Sequence, residues 1–347
     1  MGGKIRWGVI GSGGIARRRT IPEGILPASN AELVAVYSRS ATDNEAVARE
    51  FDCQAARSVE QLLGLGIDAV YLASPPAAHL DQVRACARAG VHVLCEKPLG
   101  LDVAEAESMV AACRAARVQL GTAFMMRFSA QHRAALALVK EGRLGRLVLG
   151  RAQLSCWYPP IAGAWRQQPD TGGGGALIDL GGHCLDLLEL FLGPVETVTC
   201  LLQRRVHSYP VEDSAVVSLR FRDGALGMVD AFFCIPDDAS PNRLELYGTH
   251  GSLLAEGTLG QEAHGIMRAT LTGPVGGYDP VQARRPIEGL TLDPAPINTY
   301  RAEIEAFGEA LRDGRDFDPS GESGLHSQRV LAACYESAAT GRAVECA

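Results

Sequence analysis

The sequence predicts an α/β domain built on a doubly wound parallel sheet, followed by an α+β domain. Two observations support this division. Up to about residue 122, short apolar runs alternate with helix-length segments, which is the rhythm of repeated βαβ units. After Phe124 strand-like segments joined by tight turns dominate. We therefore expect a first domain at residues 1–123 and a second at 124–347 that includes two C-terminal helices.

The first domain contains apolar runs that predict parallel strands and, between them, segments with helical spacing. The strands are expected at 5–10, 33–37, 68–73, 91–95 and 118–121. The helices are expected at 44–51, 77–89 and 103–116.

The second domain is predicted to begin with a helix that reaches Glu141 and a strand from Leu147. Four glycines at 172–175 precede a helix at 176–192. Segments 215–221 and 226–233 flank the turn Asp223-Gly224 and predict an antiparallel hairpin. Further strands are expected at 243–247 and 252–254, whereas 257–290 gives no clear pattern. Two helices close the chain, one with an apolar stripe from Tyr300 to Leu311 and the other at 325–340.

Composition excludes several classes of protein. The 347 residues carry a net charge of -7, which disfavours binding to nucleic acid. The ten cysteines include no Cys-x-x-Cys pair, so we expect reduced thiols rather than a zinc site or a disulfide framework. No apolar run is long enough to span a membrane, and the amino terminus passes directly into a strand. We expect a cytoplasmic protein.

A glycine string follows the first predicted strand. Gly11-Ser12-Gly13-Gly14-Ile15-Ala16 has the form Gly-x-Gly-x-x-Ala and opens a predicted helix. Its glycines permit a tight turn that brings backbone N–H groups close to a pyrophosphate. A plain structural turn is the alternative. We predict a dinucleotide site, to which Ser74 and Pro75 contribute because they follow the strand at 68–73.

The end of the second predicted strand indicates which dinucleotide binds. A site that prefers NAD usually has a carboxylate here for the ribose hydroxyls. This chain has Ser38 and Arg39 instead, and a hydroxyl and a guanidinium suit a 2′-phosphate. We therefore predict NADP, with NAD still possible because sites of dual specificity also lack the acid. An ordinary surface arginine is the other interpretation of Arg39.

Two further segments carry groups that exchange protons near neutral pH. Lys97 follows the strand at 91–95 and precedes Pro98, which biases it away from helical angles. In the helix at 176–192, Leu177, Leu180, Leu187, Leu188 and Phe191 are expected on one face. Asp179, His183 and Asp186 are expected on the other. A solvated polar stripe is the competing interpretation, but the preceding glycines favour a close approach to a ligand.

Taken together, these motifs resemble the Gfo/Idh/MocA oxidoreductase family. They are the glycine string, Ser74-Pro75-Pro76, Glu96-Lys97-Pro98, Trp165-Arg166, and the glycines that lead to Asp179, His183 and Asp186. The resemblance implies a Rossmann domain and a domain with an open, mostly antiparallel sheet. It also implies oxidation or reduction of sugars, cyclitols or related compounds with NAD(P).

The resemblance further implies roles for individual residues. Lys97 and His183 would be catalytic, with Asp179 assisting. Trp165 and Arg166 would contact the cofactor or the substrate. Glu96 and Lys97 are expected at the cofactor, and Lys97, Asp179 and His183 at the substrate.

We expect His183 to exchange the hydroxyl proton and Lys97 to stabilise charge on the same oxygen, although the two roles could be reversed. Arg127, Trp157 and Tyr158 are candidates for the wall of the substrate pocket, with core packing as the alternative for the two aromatics. His79 is expected to be structural or capping.

Two other functions remain open at this stage. One is a glycosidase that uses transient hydride transfer without net oxidation, as in some relatives of the family. The other is a nonenzymatic NADP-binding regulator, which would not need Lys97, Asp179 and His183 together. Because an open sheet face would expose apolar side chains, we also expect a homodimer or homotetramer.

Overall fold

The computed structural model describes residues 3–261, 264–274, 276–278, 280–282, 287 and 289–346. The chain divides into two compact units. The first contains the residues up to Met125 together with Gly163–Gly174 and Asn298–Ala332, and the second contains Met126–Ala162, Gly175–Ile297 and the chain from Ala333 onward.

Within the described residues, six strands of the first unit form a parallel sheet in the order β3-β2-β1-β4-β5-β6. They are β1 (Ile5–Ile10), β2 (Ala31–Tyr37), β3 (Gln54–Ala55), β4 (Ala69–Leu72), β5 (His92–Cys95) and β6 (Leu120–Thr122). The helices between them are a π-helix (Ala16–Ile25), α1 (Ala41–Glu50), α2 (Val59–Leu63), a 3-10 turn (Pro76–Ala78) with α3 (His79–Arg88), and α4 (Val103–Ala116). The predicted Rossmann-type sheet is therefore confirmed.

Later parts of the chain complete the first unit. They are a 3-10 turn (Trp165–Gln167), α6 (Pro169–Gly172), α8 (Thr299–Asp313) and α9 (Gly321–Thr340) as far as Ala332. The sequence pattern predicted α8 and α9 as part of the second domain. Phe307 of α8 instead packs against Trp7 of β1, with ring centroids 5.5 Å apart, and both rings are fully buried.

The second unit is built on a sheet in which nine strands can be traced through the described residues, in the order β14-β13-β12-β11-β7-β10-β9-β8-β15. The strands are β7 (Leu147–Ser155), β8 (Val195–Gln203), β9 (Ser214–Phe221), β10 (Leu226–Phe232), β11 (Arg243–Gly248), β12 (Gly251–Glu256), β13 (Ile266–Leu271), β14 (Leu290–Thr291) and β15 (Val344–Glu345). The β7–β10 pair is parallel and the other pairs are antiparallel. The predicted hairpin is β9–β10, and the open, mostly antiparallel sheet is confirmed.

One face of this sheet is buried beneath helices and the other is exposed. In β9 and β10 buried and more exposed side chains alternate, which is the pattern of a sheet covered on one side. The covering elements include α7 (Gly182–Leu192) and a π-helix (Leu177–Gly181), and α5 (Ala130–Lys140) belongs to the same unit.

The stretch 257–290, for which the sequence gave no clear pattern, contains β13 and the start of β14. Its residues 262, 263, 275, 279, 283–286 and 288 lie outside the described part.

The helix predicted at 176–192 is not one continuous α-helix. Its first turns form the π-helix Leu177–Gly181, and α7 follows. The expected polar face is also wrong at Asp186, which is only 2% exposed. Leu180, expected on the apolar face, is half-buried, as are Asp179 and His183.

Candidate active site

The glycine turn after β1 has the geometry that a pyrophosphate site requires. Gly11 has a φ of 84°, and a side chain there would collide with the backbone of Ser74 and with the Ala73 carbonyl. In contrast, no atom lies within 4 Å of the position that a Cβ would take at Gly13 or Gly14. The turn leads through Gly14 and Ile15 into the π-helix, where the Arg17 N–H donates to the Gly13 carbonyl at 3.4 Å. The first N–H groups of a helix in general lack an intrahelical acceptor. A dinucleotide phosphate therefore fits beside this turn.

Backbone and side-chain bonds attach the turn to the neighbouring strand. The N–H groups of Gly11 and Ser12 donate to the Tyr37 carbonyl at 2.8 and 3.3 Å. The Ser12 hydroxyl is buried and donates to Asn44 Oδ1 at 3.2 Å, and Asn44 donates to the Ala56 carbonyl at 2.9 Å. The Ser12 side chain and the N–H groups of Gly11 and Ser12 therefore hold the turn against the end of β2 and the start of α1. Asn44 was not identified from the sequence, because its partners are distant along the chain.

The end of β2 presents the polar pair expected to bind a ribose or its phosphate. Ser38 is half-buried and donates to the Ser40 carbonyl at 3.2 Å, whereas Arg39 is exposed. Glu32 lies near the opposite end of β2, opposite Arg6 in the sheet. Asp43 lies in the first turn of α1, where its N–H donates to Ser40 Oγ at 3.3 Å.

The loop after β5 carries Glu96, Lys97 and Pro98, and the Lys97–Pro98 peptide bond is cis. The hydroxyl of buried Tyr71 donates to Glu96 Oε1. Burial raises the pKa of the Glu96 carboxyl, and the charge on Lys97, the Tyr71 bond and the charge on Arg166 offset this in part. Burial also raises the pKa of the Tyr71 hydroxyl. A half-buried acid with a raised pKa therefore directly precedes Lys97 in the chain.

Trp165 and Arg166 belong to the same unit as this loop. The Arg166 guanidinium lies 4.1 Å from the centroid of the Trp165 ring, and its charge acts on Glu96. A side chain at Gly172 would come within 2.9 Å of the Trp165 carbonyl oxygen, so the glycine run permits this close packing. The fold thus brings together Glu96, Lys97, Trp165 and Arg166, which are separated by about 70 residues in the chain.

In the second unit, Glu212 holds the start of the π-helix that carries Asp179. Its Oε1 accepts from the N–H groups of Gly175 and Leu177 at 3.0 and 3.1 Å and from the Tyr335 hydroxyl at 2.9 Å. Any side chain at Gly175 would collide with the Glu212 carbonyl. Burial raises the pKa of the Glu212 carboxyl. No local pattern marks this residue, since Tyr335 lies 123 positions away.

A largely buried ion pair joins Arg127 to Asp186 of α7. Arg127 Nε lies 2.9 Å from both carboxylate oxygens, and Nη2 lies 2.6 Å from Oδ1. The two side chains are 14% and 3% exposed. Because Asp186 engages the Nε–Nη2 edge of Arg127, that edge cannot also bind substrate.

Both aromatic candidates for the substrate wall lie in a cluster after β7. The Tyr158 ring packs 4.9 Å from that of Phe233, and its carbonyl accepts from the Tyr209 hydroxyl at 3.0 Å. Trp157 is 45% exposed and contacts the His207 ring at 5.0 Å in an edge-on arrangement. His207 and Tyr209 were not identified from the sequence.

Lys97 belongs to the first unit, and Asp179 and His183 belong to the second. The π-helix and α7 carry Asp179 and His183, which are half-buried one turn apart.

Among the described residues, no group of three or more His, Cys, Asp or Glu side chains forms a metal site. No helix in the same part of the chain has the length and apolar character needed to cross a membrane.

Each of the two structural units matches a known protein family in sequence. A family model described as "Oxidoreductase family, NAD-binding Rossmann fold" matches residues 5–124. A second model, "GFO/IDH/MocA C-terminal domain", matches residues 132–254. The 1,5-anhydro-D-fructose reductase of Ensifer adhaerens is 34% identical over 345 residues, which cover 98% of each chain. The chain belongs to the Gfo/Idh/MocA family.

Two other known proteins are similar along their whole length. The D-xylose 1-dehydrogenase (NADP(+)) 2 of Haloferax volcanii is 33% identical over 342 residues, covering 98% of this chain and 99% of the relative. The crystal structure of an aldose-aldose oxidoreductase from Caulobacter crescentus, complexed with glycerol, superposes with a TM-score of 0.87 at 25% identity and covers 99% of both chains. This Gfo/Idh/MocA protein is therefore an oxidoreductase with an NAD(P)-binding Rossmann fold.

Proposed function

We propose that the protein transfers a hydride between NADP(H) and a hydroxyl-bearing or keto carbon of a sugar, cyclitol or related diol. The observation that carries this proposal is the grouping of Glu96, Lys97, Trp165 and Arg166 in the unit that holds the dinucleotide turn. The names of the relatives add support, because anhydrofructose and xylose are polyhydroxylated compounds.

The preference for NADP rests on the residues that end β2. Ser38 and the exposed guanidinium of Arg39 stand where an NAD site has a carboxylate. Arg39 can form charge-assisted bonds with a 2′-phosphate, and the Ser38 hydroxyl can donate another once it turns away from the Ser40 carbonyl. A relative named as an NADP(+) enzyme agrees with this choice.

The bound nicotinamide supplies or accepts the hydride, and the protein handles the accompanying proton. His183 takes the proton from the substrate hydroxyl during oxidation and returns it during reduction. Lys97 donates a hydrogen bond to the substrate oxygen and stabilises its developing charge. Asp179, one turn before His183, orients the ring and favours its charged form. The aromatic side chains of Trp157 and Tyr158 face the apolar side of a sugar ring.

The proposal is tested by a substrate screen. Sugars, inositols and diols are offered with NADP+, and keto-sugars with NADPH, while the absorbance of reduced nicotinamide is followed. A net change with at least one of these compounds supports the proposal. Cleavage of glycosides without a net change indicates the glycosidase instead, and tight binding of NADPH without turnover of any compound indicates a regulatory protein.

A further inference from the structure

His79, at the start of α3, is a fully buried polar side chain with no part in the mechanism above. Its Nε2 lies 2.7 Å from the carbonyl oxygen of Ser74. Its Nδ1 lies 3.4 Å from the Cys95 sulfur, 3.0 Å from the carbonyl oxygen of Leu99 and 3.2 Å from that of Pro98. A neutral imidazole has one N–H, so Nε2 donates to Ser74 and Nδ1 accepts from the Cys95 thiol, at the end of β5. The imidazole therefore spans the ends of the neighbouring strands β4 and β5.

On both sides of its ring, His79 contacts a loop that carries residues of the proposed site. Ser74 packs so closely against Gly11 that no side chain fits there. Pro98 and Leu99 directly follow Lys97. The Ser74 hydroxyl donates to Gln82 Oε1 at 2.5 Å, and the Ser74 carbonyl accepts from His79.

The environment of the ring indicates a specific role rather than general packing. Burial lowers the pKa of His79, and the contacts with the three carbonyls act in the opposite direction. An apolar side chain would avoid the cost of burying a polar ring, so its two ring nitrogens must contribute something that packing alone does not. The bonds of the two ring nitrogens hold the Ser74 loop and the Lys97 loop at a fixed distance from each other.

We propose that His79 is a positioning residue, with Nε2 fixing the Ser74 loop beside the dinucleotide turn and Nδ1 fixing the loop that presents Lys97. This inference rests on the proposed function for the roles of Ser74 and Lys97. The two ring nitrogens of His79 then have different roles. Nε2 supports cofactor binding through the Ser74 loop, and Nδ1 supports the chemical step through the loop of Lys97.

Two substitutions divide these roles. The amide oxygen of asparagine is as many bonds from Cα as Nδ1 of histidine, and the amide nitrogen of glutamine is as many as Nε2. His79→Asn thus keeps an acceptor for the Cys95 thiol, and His79→Gln keeps a donor for Ser74. His79→Leu removes both. His92→Gln is the control, because His92 begins β5 at the opposite edge of the sheet and its ring also bonds to the backbone, with Nδ1 accepting from the N–H of Gln119 at 2.9 Å.

We expect His79→Gln to lower kcat by up to about 100-fold, because the Lys97 loop is misplaced, while the dissociation constant for NADPH stays near that of the wild type. His79→Asn should raise that dissociation constant by roughly 2- to 10-fold, the value of one hydrogen bond, and retain most of kcat. His79→Leu should show both effects. His92→Gln should show neither.

Hydrogen exchange of the ligand-free protein gives a readout that does not depend on activity. Exchange should rise in a peptide spanning residues 96–101 for His79→Gln and in one spanning 73–77 for His79→Asn, with thermal unfolding reported for each variant. Equal changes in both peptides and in both constants would indicate a merely structural role and overturn the inference, as would wild-type values throughout. If no substrate is turned over, the proposed function fails, whereas the exchange pattern and NADPH binding still decide the role of His79.

Discussion

Replacement of Asp186 by asparagine tests whether the buried ion pair fixes α7. Arg127 makes three contacts of 2.6 to 2.9 Å with this carboxylate, and the pair is largely screened from water at 14% and 3% exposure. Removing one partner of a buried pair leaves an uncompensated charge, at a cost of about 3–5 kcal/mol. Because Asp186 lies one turn after His183, we also expect kcat to fall.

The assay is urea unfolding followed by circular dichroism, with the free energy of unfolding compared between variants. Glu196→Gln is the control, because its ion pair with Arg220 is 46% and 53% exposed and should contribute below about 1 kcal/mol. The double replacement of Arg127 by methionine and Asp186 by leucine should recover much of the loss. A loss for Asp186→Asn no greater than that of the control would refute the reasoning.

The remaining predictions concern the cofactor, the helix start, a titrating acid and assembly. Arg39→Ala should raise the KM for NADPH by about 10-fold or more and leave that for NADH unchanged in steady-state assays, since only the former has a 2′-phosphate; equal effects would remove the preference. Gly175→Ala should lower the melting temperature measurably because its Cβ meets the Glu212 carbonyl, and an unchanged melting curve would contradict that geometry. Burial and the Glu245 carboxylate raise the pKa of Asp230 to about 6 from 3.8, so its contribution to stability is present below about pH 4 and lost as the pH rises through 6. Melting curves of Asp230→Asn should lack this decline, and a parallel decline in the variant would exclude Asp230 as its source. Light scattering should show a dimer or tetramer, whereas a monomer at micromolar concentration would contradict the assembly.

Local signals explain how much of the fold could be predicted. The helix expected at 103–116 is α4 with the same bounds, because Asp102 caps it by accepting from the Glu105 N–H at 2.8 Å. Strand β8, in contrast, was not identified as an element, since its mixture of Thr, Glu and Cys gives a weak apolar alternation. Strands β3 and β15 contain two residues each, too few for any periodic signal.

In the candidate site, too, the sequence did not reveal contacts between residues that are far apart in the chain. The glycine turn and the loop of Lys97 were predicted because the residues that define each motif are adjacent in the sequence. Asp186 was assigned to a polar face because its partner Arg127 lies 59 residues away. The roles of Glu212 and His79 depend on contacts with backbone groups of other segments, which no sequence pattern reveals.

The most direct test of the proposed chemistry is single-turnover transfer of deuterium from C4-labelled NADPH to a keto-sugar. We expect the label on the carbinol carbon of the product. We also expect the rate to fall by roughly two to four orders of magnitude in both Lys97→Met and His183→Ala, while both variants bind NADPH as the wild type does. Wild-type transfer rates in both variants, or a reduced product without the label, would contradict the account.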